Sequence, residues 1–337
     1  MSDEPPFNRY KEHASGILLR LSQNLDRAQQ TRNNRLAKIK IFQADIGLRW
    51  LTMQYRRFNA IMASSRDTRW DALRKFINHY SNIMELDTTP LPFFGESYYV
   101  SGSFTIYKKI SLRLEKDYFE LCVDHTDPPI FWPLIIHEIA HCWLSKNEYV
   151  DNICSQYSPH IHDITLDIAS NRIEEALCDI IATRVMGPAY PMAFVNRLWA
   201  LFQLESQIYP KNRFRIECMA KVLDIMDFRE EARKLRSIGD EKFEYPYEEE
   251  EVSCTLNELC RVSQRFQVIS TKIRRLFESP TKVFQLRNNE DYALAFYSFW
   301  LEINEAKTED TELLITSISN KILNSLIRST ESNYPST

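Results

Sequence analysis

Residues 137–141 form the pattern His-Glu-x-x-His, which carries the chemistry of a metal site. Two histidines four residues apart lie on one face of a helix, so both imidazoles can reach the same ion. Glu138 follows the first histidine and can act on a water molecule beside that ion. The surrounding positions 128–144 are otherwise uncharged, and a histidine pair and a glutamate are costly there unless a metal or hydrogen bonds satisfy them. The pattern therefore predicts a zinc site with His137 and His141 as ligands.

A catalytic zinc ion generally has three protein ligands and one open position, so a third ligand is expected downstream. Glu175 and Asp179 are four residues apart on one face of a predicted helix. We predict that Glu175 binds the metal and that Asp179 accepts a hydrogen bond from the other ring nitrogen of a ligand histidine. Glu174 points about 100° away around the helix and is a less favoured ligand. His160 and His162 are the remaining candidates, although we interpret both as loop residues.

The seven cysteines contain no C-x-x-C pair, and we interpret them as reduced core residues. Cys142 and Cys178 adjoin the predicted ligands, where they could modulate the metal or simply pack the helices as small apolar residues, which is the interpretation we favour. Residues 1–10 lack the basic and apolar regions of a signal peptide, and no stretch is long and apolar enough to suggest a membrane span. These features predict a cytoplasmic protein.

The two motifs together resemble those of the gluzincin metallopeptidases, the clan that includes thermolysin. They are more closely similar to the CAAX-prenyl-protease and HtpX family with its small soluble relatives. In that family a His-Pro-x-x-x-x-Arg-Ile element follows the second motif. This chain has Tyr209, Pro210, Arg215 and Ile216 at the same spacing, with tyrosine in place of the histidine. The resemblance covers about residues 95–220, and the family's membrane spans are absent.

The resemblance implies a zinc metalloendopeptidase with a zincin-like core. The implied roles fall on seven residues, namely catalytic Glu138 and Tyr209, metal ligands His137, His141 and Glu175, and supporting Asp179 and Arg215. Glu138 would be the general base for a water molecule activated by Zn²⁺, and Tyr209 would donate a hydrogen bond to the oxyanion. The expected substrate is a polypeptide that pairs in extended form with a sheet edge.

Helices must hold these motifs, and apolar residues recur at helical spacing along most of the chain. The predicted helical regions are residues 7–64, 69–84, 128–144, 164–228 as three helices, 252–277, 292–306 and 312–327. Residues 98–123 instead show the alternation and the aromatic and β-branched side chains typical of strands. We therefore predict an α+β, predominantly helical fold with a small, mostly antiparallel sheet before the His-Glu-x-x-His helix.

Two stretches mark domain boundaries, the Pro-containing residues 88–92 and the acidic run at 240–251. They predict an N-terminal helical region (1–88), a metallopeptidase core (89–240) and a C-terminal helical region (241–337). Residues 1–80 contain 15 Lys and Arg against 7 Asp and Glu, whereas the whole chain has 42 against 46. We expect a regulatory protein partner to bind these helical flanks.

Composition excludes several function classes. None of the six glycines lies in a G-x-G-x-x-G or Walker A pattern, which argues against a nucleotide-binding enzyme. No helix-turn-helix, zinc-finger or RNA-binding signature accompanies the basic N-terminal helices, so no nucleic-acid partner is expected. The alternative to a protease is a regulatory or binding module, with a structural or silent zinc site, that acts through its N-terminal helices. Glu138 distinguishes the protease from the binding module, because a hydrolase needs this glutamate and a structural zinc site does not.

Overall fold

The structure is a computed structural model, and it describes residues 6–31, 34–64, 67–86, 90–95, 99–101, 120–147, 166–198, 210–242, 257, 259–261, 263–278, 291–305 and 311–328. Its contacts divide into two compact units. The first comprises residues 1–74 and 87–124, and the second comprises residues 75–86 and 125–337. The domain boundaries near residues 88 and 240 stay predictions.

The first unit begins with two long helices, α1 (Pro6–Gln30) and α2 (Asn34–Ser64), which pack against each other. Leu21 and Ala28, seven residues apart on α1, are buried, as is Ala44 on α2. A seven-residue spacing of buried side chains is typical of paired helices. Two helices therefore form where the sequence predicted one or two.

The next helix, α3 (Thr68–Ile83), begins at a capping residue, Asp67. The Asp67 Oδ1 atom accepts a hydrogen bond of 2.8 Å from the backbone N–H of Arg69, which satisfies a free donor of the first turn. The indole Nε1 of Trp70 donates to the carbonyl oxygen of Pro92 at 3.2 Å. The start of α3 is thereby tied to the sheet of the same unit.

That sheet has three strands in the order β1, β3, β2, where β1 is Leu91–Gly95, β2 is Tyr99–Ser101 and β3 is Glu120–Asp124. β1 pairs with β3 in parallel over five residue pairs, from Leu91 opposite Glu120 to Gly95 opposite Asp124. β2 pairs with β3 antiparallel over three residue pairs.

The prediction of a mostly antiparallel sheet is therefore wrong, since the longer pairing is parallel. Apolar alternation identifies the face of a strand but not its direction. The sequence also missed β1, because Pro92 was taken as part of a boundary, whereas a proline is tolerated on an edge strand. Residues 102–119 of the predicted strand region lie outside the described residues.

Helices make up the second unit, which also contains the end of α3, and the predominantly helical fold is confirmed. After a short 3₁₀ helix (Pro129–Leu134), its further helices are α4 (Ile135–Asn147), α5 (Leu166–Met186), α6 (Ala189–Leu198), α7 (Asn212–Ile225), α8 (Arg229–Lys242), α9 (Gln267–Glu278), α10 (Asp291–Glu305) and α11 (Thr311–Arg328). Gly187 ends α5 with φ of 58°, a left-handed conformation that favours glycine. Of the helices that the structure describes, none combines the length and apolar character needed to cross a bilayer.

Among the described residues of this unit, two apolar groups contribute to the core. In the first, the ring of Phe76 on α3 lies 4.8–5.9 Å from its aromatic neighbours, which are Tyr80, Trp132, Tyr292 and Phe296. In the second, α4 packs on α5, and both contribute fully buried side chains, which are Ile136, Ile139 and Ala140 on α4 and Ala176, Leu177 and Ile180 on α5. The packing of α4 on α5 fixes the relative positions of the polar side chains that lie between these two helices.

Candidate metal centre

Helix α4 presents the two histidines of the His-Glu-x-x-His motif towards α5. The side chains of His137 and His141 are only 9% and 15% exposed. Their ring centroids lie 4.9 Å apart and the rings are inclined by 80°, as expected for positions one turn apart. Two imidazoles are thus held side by side and are largely shielded from solvent.

A single carboxylate, that of Glu175 on α5, faces both rings. Its Oε2 atom lies 3.1 Å from His137 Nε2, and its Oε1 atom lies 3.4 Å from His141 Nε2. Burial alone would raise the pKa of Glu175, but the hydrogen bonds and charges of the two histidines outweigh it and hold that pKa well below its usual range. Glu175 is therefore an ionised carboxylate between the two Nε2 atoms.

The opposite nitrogen of each ring is held by a different carboxylate. His137 Nδ1 lies 3.0 Å from Asp179 Oδ1, and His141 Nδ1 lies 2.8 Å from Glu174 Oε1. A carboxylate only accepts hydrogen bonds, so the Nδ1 atom of each ring can donate to its own carboxylate. When both imidazoles are neutral with the proton on Nδ1, their Nε2 lone pairs are available to a metal ion.

Arg215 on α7 contacts the two carboxylates that face His137, those of Asp179 and Glu175. Its Nε and Nη2 atoms donate to the two oxygens of Asp179 at 2.6 and 2.8 Å, and Nη2 lies 3.6 Å from Glu175 Oε2. Asp179 is fully buried. Burial would raise its pKa, but the Arg215 guanidinium outweighs that effect and lowers it. The bidentate pair keeps Asp179 charged and oriented towards His137.

Tyr190 on α6 completes the hydrogen bonding of Asp179. Its hydroxyl donates to Asp179 Oδ1 at 2.5 Å and lies 3.2 Å from His137 Nδ1. The ring of Tyr190 is nearly parallel to that of His137, with an interplanar angle of 9°. Asp179 thus receives hydrogen bonds from three different helices, which fixes its orientation.

Cys178, fully buried on α5, also reaches the histidine pair. One donor atom from each of His137, His141 and Cys178 lies within 4.8 Å of the others, so this cluster could hold a metal ion. Burial raises the pKa of the Cys178 thiol to about 12, so it carries its proton when no metal is bound.

The donor atoms are close enough together to hold one metal ion. Metal–nitrogen and metal–oxygen bonds of about 2.0–2.2 Å place neighbouring tetrahedral ligands about 3.3–3.6 Å apart. The distance of 3.4 Å from Glu175 Oε1 to His141 Nε2 lies in that range, whereas the distance of 3.1 Å from Oε2 to His137 Nε2 is that of a hydrogen bond. Nitrogen, oxygen and sulfur are all donors that zinc accepts.

The predicted site residues are brought together in large part. His137, His141, Glu175, Asp179 and Arg215 form one connected group. Glu138 is half-buried on α4, and within the described part of the chain its carboxylate has no hydrogen-bond or ion-pair partner. Tyr209, His160 and His162 lie outside the described residues.

Two contributors were missed from the sequence. Glu174 was considered only as an alternative ligand, yet it holds the Nδ1 atom of His141. Its position one residue before Glu175 was a usable signal, because a helix packed across two histidines can present adjacent carboxylates to different rings. Tyr190 has no local motif, and only the packing of α6 brings it to Asp179.

Comparison of the chain with protein families, with curated proteins and with solved structures gave no match.

Proposed function

We propose that this protein is a zinc-dependent peptidase of zincin-like organisation. The observation that carries the proposal is the position of Glu175, whose two oxygens face the Nε2 atoms of His137 and His141 at 3.1 and 3.4 Å. Glu138, adjacent in sequence to His137, is the one carboxylate of the motifs that is not engaged with a histidine or an arginine in the described part of the chain. Three ligands and an uncommitted carboxylate are what metal-assisted hydrolysis requires.

The charge of the cluster supports a divalent cation. Glu174, Glu175 and Asp179 supply three negative charges, and Arg215 supplies one positive charge. With neutral histidines, the cluster has a net charge of −2, which a dication at the Nε2 atoms would balance. Without a metal, the protons favoured by the raised pKa values of His137 and His141 balance the same charge, so a metal ion would replace them.

Each residue of the site has a separate proposed role in catalysis. A bound zinc ion would polarise the substrate carbonyl and lower the pKa of a water molecule. Glu138 would accept a proton from the attacking water molecule and afterwards deliver it to the leaving amine. Asp179 and Glu174 keep His137 and His141 in the tautomer that presents Nε2. Tyr209, carried over from the family resemblance, would donate a hydrogen bond to the oxyanion, and a polypeptide is the proposed substrate.

The test is Glu138→Gln, compared with Glu230→Gln as a control at an exposed position on α8. Both variants should bind one zinc per chain, because neither change removes a proposed ligand. Glu138→Gln should abolish cleavage of unfolded protein substrates, whereas Glu230→Gln should leave it unchanged. Equal cleavage by the two variants would rule out Glu138 as the general base.

A second candidate is a binding module with a structural metal. The α1–α2 pair favours it, because Leu18 and Leu25 on α1 and Ile41 and Leu48 on α2 are each 43–55% exposed. Apolar side chains grouped on a surface are typical of protein interaction sites. If a cellular phenotype of the wild type survives Glu138→Gln and neither form cuts any substrate, this candidate replaces the peptidase.

A further inference from the structure

Cys178 is placed where it can change what the metal centre does. It lies three residues after Glu175 on α5, so both side chains lie on the same face of that helix. Its sulfur belongs to the group of three donors, with His137 and His141, that lie within 4.8 Å of one another. Its side chain is fully buried, so solvent does not separate it from the histidines.

The two other residues that could compete for this role are engaged elsewhere. The thiol of Cys142, next to His141, donates to the Glu138 carbonyl oxygen within its own helix at 3.6 Å. Glu174 is held at the Nδ1 side of His141, at 2.8 Å. Among the described residues, Glu175 lies at the two Nε2 atoms, and Cys178 supplies the third donor atom of the group that it forms with the two histidines.

We propose that Cys178 is a fourth ligand of the metal, with His137, His141 and Glu175, and that its thiolate closes the site. The thiol proton leaves to solvent when the metal–sulfur bond forms. Four protein donors fill a tetrahedral ion, whereas a hydrolytic site keeps one position open. The closing role rests on the proposed function, because it makes this a restrained peptidase, in which only the molecules whose Cys178 has left the metal hydrolyse substrate.

A thiolate ligand also restricts the choice of metal. Sulfur donors favour zinc and its spectroscopic substitute cobalt over magnesium, calcium and manganese, which prefer oxygen. The resting protein is accordingly expected to retain Zn²⁺ or Co²⁺ during dialysis and to lose Mg²⁺ or Mn²⁺.

X-ray absorption of the zinc-loaded wild-type chain tests the ligand directly. The expected first shell contains one sulfur at about 2.3 Å beside nitrogen and oxygen at about 2.0–2.1 Å. In the Co²⁺ form, the thiolate-to-metal charge-transfer band should be present, should vanish in Cys178→Ala and Cys178→Ser, and should persist in the matched control Cys142→Ala. A wild-type shell of nitrogen and oxygen alone, or loss of the band in Cys142→Ala, would overturn the proposal. The wild-type measurement decides the presence of sulfur even if a variant fails to fold.

Whether Cys178 closes the metal site can be measured without an assay of hydrolysis. Azide added to the Co²⁺ protein should leave the visible spectrum of the wild type unchanged and should shift that of Cys178→Ala, where a position has opened. An equal azide shift in both proteins would show that the wild-type site is already open and would overturn the closing role. Absence of cleavage by every variant, with the sulfur signal intact, would instead refute the peptidase and leave the ligand assignment standing.

Discussion

The α4–α5 pair and the α1–α2 pair are both formed by two helices in contact, but they differ in which side chains they bury and which they expose. Between α4 and α5, charged groups are buried, and Asp179, for example, is paired with both His137 and Arg215. On α1 and α2, apolar residues such as Leu25 and Ile41 are 43% and 54% exposed. Buried, paired charge is typical of functional sites as well as of structural ion-pair networks, whereas exposed apolar surface is typical of protein interaction sites.

The largest expected effect tests whether the buried charges depend on one another. Arg215→Ala leaves Asp179 fully buried without its cation, so the free energy of unfolding of the metal-free protein should fall by about 3–5 kcal/mol. Arg236→Ala is the matched control, because Arg236 pairs with Glu217 and Asp224 but is 34% exposed. That variant should lose about 1 kcal/mol or less.

Denaturant unfolding of the two arginine variants measures the difference. Similar losses would mean that Asp179 is not isolated from water as its burial indicates, and the contrast between the two helix pairs would weaken. Arg215→Lys should recover only part of the stability, since lysine cannot make the bidentate pair seen at 2.6 and 2.8 Å.

Metal binding is the next test, and it applies to the histidine pair. His137→Ala and His141→Ala should each weaken zinc binding by about 100-fold or more, and Glu175→Ala should weaken it less completely. His125→Ala, an exposed histidine ahead of the 3₁₀ helix, is the control and should bind as the wild type does. Competition with a chromophoric chelator gives the affinities. Full retention of zinc by Glu175→Ala would show that Glu175 is not a ligand and would leave Glu174, His160 and His162 as the candidates for its place.

The sequence predicted the grouping of His137, His141 and Glu175 better than their surroundings, for a physical reason. Their grouping follows from helical spacing, which is a local property. Tyr190 and the pairing of β1 with β3 depend on contacts between segments distant in the chain, and no local pattern encodes them. Glu174 is an intermediate case, because helical spacing makes it a less favoured ligand but does not show that it contacts the Nδ1 atom of His141.

The pH dependence of zinc binding tests the electrostatics of the α4–α5 pair. Burial would lower the pKa values of His137 and His141, but the carboxylates around His137, and Cys178 with the carboxylates around His141, outweigh it and raise both. Zinc requires the neutral imidazoles, so protons compete with it up to a higher pH than the usual value of 6.5. Zinc affinity should therefore rise with pH across and above 6.5, by about tenfold per pH unit for each proton displaced. Isothermal titration at several pH values measures this, and a flat profile above 6.5 would contradict the raised pKa values.

The smallest effect concerns the α1–α2 pair, where exposure predicts tolerance. Leu25 is 43% exposed and Leu21, one turn away on the same helix, is 5% exposed. Leu25→Ala should change the free energy of unfolding by about 0.5 kcal/mol or less, because it removes few contacts within the chain. Leu21→Ala should cost about 2–5 kcal/mol, because it leaves a cavity between the helices. Both are measured by thermal and denaturant unfolding of the metal-free chain. If Leu25→Ala lowers the free energy of unfolding as much as Leu21→Ala does, Leu25 is covered by another part of the protein. The side chains of the α1–α2 pair would then contact other parts of the same chain, as those of α4 and α5 do.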